Sequence, residues 1–287
     1  ISVNKRLKNY FYLMRLDKPI GTMLLLWPSL IALVLASEGN PSIYLFAVFC
    51  MGTLIMRSAG CVINDWFDRD IDSKVLRTHT RPLADGRVSS NEALMLFSLL
   101  LCLALILLFQ LNLLSFYVAC LIVVLVVFYP LAKRYLKIPQ IILGITFSGG
   151  IPLAFAAASN SLPSACFILM LANFFWILSY DTSYAISDKQ DDLALGLGSS
   201  AIYFAGKEKI AIFTFGLLGL IIFGSLGLIY EYNFLFYVIF FVTITGYFLF
   251  FIRTSFSSPS SSFNFFKKNN LIGFLMFVAF YIGGLIL

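Results

Sequence analysis

Long apolar runs separated by short polar breaks organise this chain. Runs near the ~20 residues that cross a bilayer recur at about 20–36, 42–63, 92–110, 112–130, 139–158, 164–181, 210–230, 233–252 and 271–287. The breaks between them are brief: Ser37-Glu38-Gly39-Asn40-Pro41, Gln110-Leu111-Asn112, Lys133-Arg134, Ser159 to Pro163, and Glu231-Tyr232-Asn233. The pattern predicts an all-α, polytopic membrane bundle of about nine transmembrane helices, with residues 1–287 forming one domain.

Composition removes the soluble alternative. The chain is 60% apolar and only 12% charged, against roughly 45–50% and 25% in soluble domains. So few polar residues cannot cover the surface of a water-soluble fold. The cations then orient the bundle. Connections after the first, third, fifth and seventh runs hold no Lys or Arg, only Glu38 and Glu231. The N-terminal segment and the other connections hold every cation except Arg57, which lies inside the second run. By the positive-inside rule those basic segments, the N-terminus included, face the cytoplasm or matrix. This topology accounts for the net charge of +6 and removes any need for a nucleic-acid partner. Residues 2–18 mix basic and aromatic side chains, show no small-residue cleavage site after the first apolar run, and read as an interfacial amphipathic helix. Cys50, Cys61, Cys102, Cys120 and Cys166 lie in apolar runs without CxxC spacing and read as small core residues. His79 is the lone histidine, so no histidine-based metal site can be built.

Eight of the fourteen acidic residues fall into two clusters at predicted cytoplasmic helix ends. The first is Asn64-Asp65-Trp66-Phe67-Asp68-Arg69-Asp70-Ile71-Asp72 and the second runs from Asp181 to Asp192. If the second helix continues, Asn64, Asp68 and Asp72 form one stripe at i, i+4, i+8; Tyr184, Asp188 and Asp192 repeat that spacing, with Asp181 one turn before and Asp191 beside them. Like charges one turn apart repel, and near helix C-termini the macrodipole adds to the repulsion. A cation among the carboxylates relieves both. Oxygen ligands without His or Cys suit Mg²⁺, which is commonly shared with substrate phosphates. Acidic residues in a loop are more often a solvated face, but two clusters with matched spacing at matched helix positions favour a metal–diphosphate site.

Cations surround the first cluster: Arg69, Lys74, Arg77, Arg81 and Arg87, with Lys133 and Arg134 on the same side. For Arg69, Arg81 and Arg134, phosphate binding and membrane-proximal anchoring weigh equally; for Lys74 and Arg87 anchoring is preferred. Arg81 to Arg87 reads as a turn-rich loop covering the site. Arg57 lies two turns deeper than Asn64 on the same face. A charge at that depth faces a cavity or the bundle interior, where it pairs with a substrate carboxylate or with an Asp.

These segments resemble the UbiA family of membrane prenyltransferases. The resemblance is carried by Met56 to Arg69 with Asp72, Arg81-Pro82-Leu83, Tyr129-Pro130-Leu131-Ala132-Lys133-Arg134, Pro139-Gln140 with Leu143-Gly144, and Tyr180-Asp181-Thr182 with Tyr184, Ala185, Asp188, Asp191 and Asp192. It implies a nine-helix bundle around a central cavity with a cytoplasmic helical cap, Mg²⁺, a polyprenyl diphosphate donor and a small aromatic acid acceptor, 4-hydroxybenzoate. It also implies that Asn64, Asp68, Asp72, Asp188 and Asp192 hold Mg²⁺ and diphosphate. Asp65, Asp181, Tyr184 and Asp191 would support them, with Arg69 and Arg134 as substrate-binding cations. One departure stands out: the family usually shows Gly-x-Lys-Ser-Thr where this chain has Gly196-Leu197-Gly198-Ser199-Ser200. Lys189 and Lys207 are the candidates to supply the missing charge; otherwise the diphosphate is held with one contact fewer. The competing readings are a relative acting on a menaquinone or haem O precursor, a phosphatidyl-transferring enzyme, and, outside the enzymes, a transporter.

Overall fold

The computed structural model describes residues 3–73, 78–131 and 135–285. All regular structure among them is helical. The helices are α1 (Val3–Leu13), α2 (Ile20–Ala36), α3 (Ile43–Asp72), α4 (Ser90–Leu108), α5 (Leu113–Phe128), α6 (Gln140–Phe147), α7 (Gly150–Ser159), α8 (Ser164–Ala194), α9 (Ser200–Tyr203), α10 (Glu208–Ile229), α11 (Phe234–Ile252) and α12 (Pro259–Gly284). Eight apolar helical stretches among the described residues are long enough to cross a membrane. The remaining expected span, α2, has 17 residues, at the short end of what a bilayer needs.

Sequence signals set several of the boundaries. Ser42 and Asn112 accept hydrogen bonds from Leu45 N–H and Ser115 N–H and so start α3 and α5. Ser89 and Glu92 close a reciprocal capping box on α4. The run expected at 139–158 is two helices, because the chain breaks at Ser148-Gly149. There Ser148 Oγ donates to the Gly144 carbonyl at 2.7 Å and accepts Asn173 Nδ2 of α8 at 2.9 Å. A break at membrane depth is tolerated where neighbouring helices satisfy the freed backbone. α12 starts at Pro259, twelve residues before the expected 271, since Ser258 caps it and Pro259 suits the first helical turn.

α8 is the hub. It packs on α2, α6, α7, α9, α10 and α12, and 61% of its most apolar stretch is buried, against 11% for α4 and for α5. Polar ties fasten it: Trp176 Nε1 to Asn269 Oδ1 at 2.9 Å, Ser179 Oγ with Tyr247 OH at 2.8 Å, and Ser183 Oγ to the Ser262 carbonyl at 2.7 Å. Gly273 of α12 lies so close to Trp27 and Trp176 that a Cβ would meet them at 2.6 and 2.7 Å. Only glycine admits both indoles.

One expectation is met and one needs correction. The connection after α3 is a series of turns over residues 78–89, with Gly86 at φ 77, as its turn-rich sequence predicts; Pro82 and Gly86 disfavour a helix there. Of the cysteines read as core, Cys61 and Cys166 are buried, but Cys102 and Cys120 are exposed, because α4 and α5 turn most of their surface outward.

Candidate active site

The carboxylates sit on helical overhang. α3 and α8 run 30 and 31 residues, well beyond the ~20 that cross a bilayer, and the surplus carries both acidic clusters. Helix continuity therefore places Asn64, Asp68 and Asp72 on one stripe of α3, and Tyr180, Tyr184, Asp188 and Asp192 on one stripe of α8. Both stripes line a single cavity of about 1420 Å³, together with Arg57, Asp65, Arg81, Asp181 and Asp191. Asp188 and Asp192 are buried, and Asn64 Nδ2 donates to Asp68 Oδ2 at 3.3 Å.

Beside the stripes is an ion-pair network. Asp65, 2% exposed, accepts Arg15 Nη2 on both carboxylate oxygens at 2.9 and 3.0 Å. It also accepts Arg81 Nη1 at 3.1 Å, and the same nitrogen reaches Asp72 Oδ2 at 2.5 Å. Burial alone would lower the Arg81 pKa; the Asp65 and Asp72 carboxylates outweigh that and hold it above the usual arginine value. Thr78 Oγ1 donates to the Asp72 carbonyl at 3.0 Å, which folds the loop back onto the end of α3. Arg87 lines the cavity too, bonded to Asp85 Oδ2 at 2.6 Å and to the Thr80 carbonyl.

Deeper in, Arg57 lies against the bare Cα of Gly21 and over the Phe147 ring, 5.5 Å from its centroid. A Cβ on residue 21 would fall 2.7 Å from Arg57 Nη2, so glycine there keeps room for the guanidinium. Among the described residues, Arg57 has no carboxylate partner. The Tyr180 hydroxyl, on the same cavity wall, is buried without a hydrogen-bond partner among the described residues. The remaining lining is apolar: Leu101, Leu105, Leu108, Phe116, Val123 and Val126 of α4 and α5 continue the cavity toward the outside of the bundle.

Not every expected residue arrives. Arg69 is turned away: its guanidinium stacks over Trp66 at 4.9 Å, donates to the Trp66 carbonyl at 2.7 Å and lies 3.8 Å from Asp70. It is one residue off the stripe, about 100° around the helix, and does not line the cavity. Lys133 and Arg134 lie outside the described residues. Lys189 is committed to Glu208 at 2.6 Å and Lys207 does not line the cavity, so neither replaces the cation missing at Gly198. Sequence reading missed Arg15, Lys18, Tyr180 and Lys267, all in the lining. Arg15 has one local sign, a left-handed φ of 57 that a non-glycine residue rarely adopts and that often marks functional sites.

The donor set fits a hard divalent cation. All the candidate ligands are oxygens, split between two helices, which suits an ion sharing its remaining positions with phosphate oxygens. Among the described residues no three acidic, His or Cys side chains converge closely enough to cage an ion alone.

A family model described as the UbiA prenyltransferase family matches residues 25–281. A 4-hydroxybenzoate octaprenyltransferase from Psychromonas ingrahamii is 41% identical over 275 residues, 96% of each chain. The apo structure of a UbiA homolog from Aeropyrum pernix K1 has a TM-score of 0.79 at 23% identity, over 91% of this chain and 97% of that one. A UbiA homolog from Archaeoglobus fulgidus, bound to GPP and Mg²⁺, gives 0.75 at 18% identity over 96% and 99%. At those identities the two structures establish a shared fold.

Proposed function

Because the chain belongs to the UbiA prenyltransferase family, we propose that it transfers a polyprenyl group from its diphosphate to the ring carbon ortho to the hydroxyl of 4-hydroxybenzoate, in ubiquinone biosynthesis. The observation that carries this reading is the union of two carboxylate stripes, a deep arginine and a long apolar wall in one cavity. The diphosphate, the acid and the isoprenoid each find their chemistry there. The chain would act as one unit, embedded in the bacterial or mitochondrial inner membrane with the carboxylate end toward the cytoplasm or matrix. The meeting of Arg15, Arg81 and Asp65 at one end supports that orientation.

Asn64, Asp68, Asp72, Asp188 and Asp192 are the residues that would hold Mg²⁺, with Asp181, Tyr184 and Asp191 alongside. Bound there, Mg²⁺ would neutralise the diphosphate and improve it as a leaving group. Arg81 donates to the same diphosphate from the loop, adding charge where it accumulates. Arg57 binds the carboxylate of the acceptor, and its position sets the ring deeper in the cavity than the carboxylate stripes. The allylic C–O bond breaks with its electron pair going to the diphosphate. Electrons of the ring carbon ortho to the hydroxyl form the new C–C bond, and loss of that carbon's proton restores aromaticity. The Leu and Phe lining keeps water from the allylic cation, which water would otherwise quench. The isoprenoid tail runs along α4 and α5 into lipid.

The test is product formation by the purified protein with radiolabelled 4-hydroxybenzoate, a polyprenyl diphosphate, and Mg²⁺ or excess chelator. A lipid-soluble labelled product that appears only with Mg²⁺ is expected. Donor consumption without labelled product would overturn the acceptor; product unaffected by chelator would overturn the metal.

A further inference from the structure

Charge at the cavity mouth is unevenly covered. Of the cations that line the cavity, Arg15 and Arg81 are bonded to Asp65 and Asp72, and Arg87 to Asp85. Among the described residues, Lys18, Arg57 and Lys267 line it without a carboxylate partner. Lys18 is exposed and Arg57 lies deep against Gly21. Lys267 differs from both. It is half-buried on α12, in a stretch that the hydropathy pattern left outside any span, and its ammonium stands over the Phe263 ring, 4.9 Å from the centroid.

That ring fixes where Lys267 stands. Phe263 packs on Tyr184 at 5.7 Å, Phe266 packs on Tyr184 at 5.0 Å, and the two phenylalanines stack at 5.9 Å. Tyr184 is one helical turn before Asp188 on the α8 stripe. Lys267 is thus held at the level of the second carboxylate cluster, on α12, whereas Arg81 reaches the first cluster from the loop after α3. Position 198 supplies no charge, since any Cβ there would collide with the Leu136 carbonyl oxygen.

We propose that Lys267 binds the diphosphate of the prenyl donor from the α8–α12 side of the cavity, opposite Arg81. The inference rests on the reading of this cavity as a prenyl diphosphate site. A diphosphate carries more negative charge than one divalent cation neutralises, and a half-buried ammonium at the level of the second acidic cluster would take up the excess. The Phe263 face orients the flexible lysine stem without neutralising it.

The experiment measures binding of inorganic diphosphate with Mg²⁺ by titration calorimetry, with the protein in nanodiscs of zwitterionic lipid, and steady-state KM values for both substrates. Lys267→Met should weaken diphosphate binding and raise the donor KM by about tenfold to a hundredfold, the range of one charge-assisted hydrogen bond. The KM for the aromatic acceptor should stay unchanged. Lys267→Arg, which keeps the charge and the ring contact, should recover to within about threefold; the confinement of the Met effect to diphosphate binding and the donor KM is the readout that a purely structural lysine would not produce. Lys267→Gln repeats the test should the Met variant fold poorly. Unchanged diphosphate binding in these variants overturns the proposal, as does a change in the acceptor KM alone. An effect seen only in discs with anionic lipid would assign Lys267 to a lipid phosphate instead. Wild-type turnover of 4-hydroxybenzoate in the same preparation keeps this failure distinct from failure of the functional reading.

Discussion

Removing the Asp65 carboxylate tests how the mouth of the cavity is held. Asp65 is 2% exposed and anchors two arginines from separate segments: Arg15, whose side chain is 21% exposed, and Arg81, at 16%. In Asp65→Ala, Arg15 loses both of its hydrogen bonds to that carboxylate, while Arg81 keeps Asp72 at 2.5 Å. Breaking a buried pair by deleting one partner costs about 3–5 kcal/mol. Partial solvent access to Arg15 and the surviving Arg81–Asp72 contact place this case lower, at about 2–3 kcal/mol. At roughly 2–4 °C per kcal/mol for a chain of this size class, the melting temperature in detergent should fall by about 4–12 °C. Arg15→Ala should cost less, because the remaining carboxylate still has Arg81. A double-mutant cycle over Arg15 and Asp65 should give a coupling of about 1–3 kcal/mol. A melting temperature for Asp65→Ala within about 1 °C of wild type, or strictly additive single substitutions, would refute the reasoning. The arginines would then be solvated by water and not by Asp65.

Three further expectations concern the cavity and its rim. Asp68→Ala and Asp188→Ala should each lower kcat by at least about a hundredfold with the melting temperature held within a few degrees; activity near wild type in either would remove that residue from the metal–diphosphate site. Arg57→Met should raise the acceptor KM by about tenfold or more while the donor KM stays put, as measured with a lipid-extraction assay; a donor-specific change would reassign Arg57. Gly198→Ala should destabilise by about 1–3 kcal/mol because its Cβ meets the Leu136 backbone oxygen, and an unchanged thermal melt would show that the two connections separate freely.

The spans and the acidic stripes were legible because bilayer physics constrains both. Apolar length is read directly from sequence, and one-turn spacing survives wherever the helix continues, as it does through Asp72 and Ala194. What the sequence hid has a physical cause in each case. The break at Ser148-Gly149 is set by Asn173 and by the approach of Ser29 to Gly150, contacts far away in sequence. Arg69 has the same charge and neighbourhood as a phosphate ligand, but its place on the helix turns it onto Trp66. The α12 overhang was missed because Lys267 and Lys268 lower the hydropathy of its first turns, and hydropathy cannot tell a helix leaving the bilayer from a loop.

The positive-inside rule is the common source of the remaining misses. It explains Arg15 and Lys267 as anchors, so from sequence alone neither needs a partner. Packing separates them from true anchors such as Lys5, Arg6 and Lys8, which are exposed on α1. Arg15 gives up solvent to satisfy a carboxylate that is 2% exposed, and Lys267 gives it up to a phenylalanine beside the second acidic stripe. An anchoring cation gains by staying in water and among headgroups. A cation drawn in against a cavity wall loses hydration that only a buried acid or an anionic ligand restores. Arg15 has its acid. For Arg57 and Lys267, neither of which has a carboxylate partner among the described residues, the compensation falls to the two anionic substrates, the carboxylate at depth and the diphosphate at the mouth.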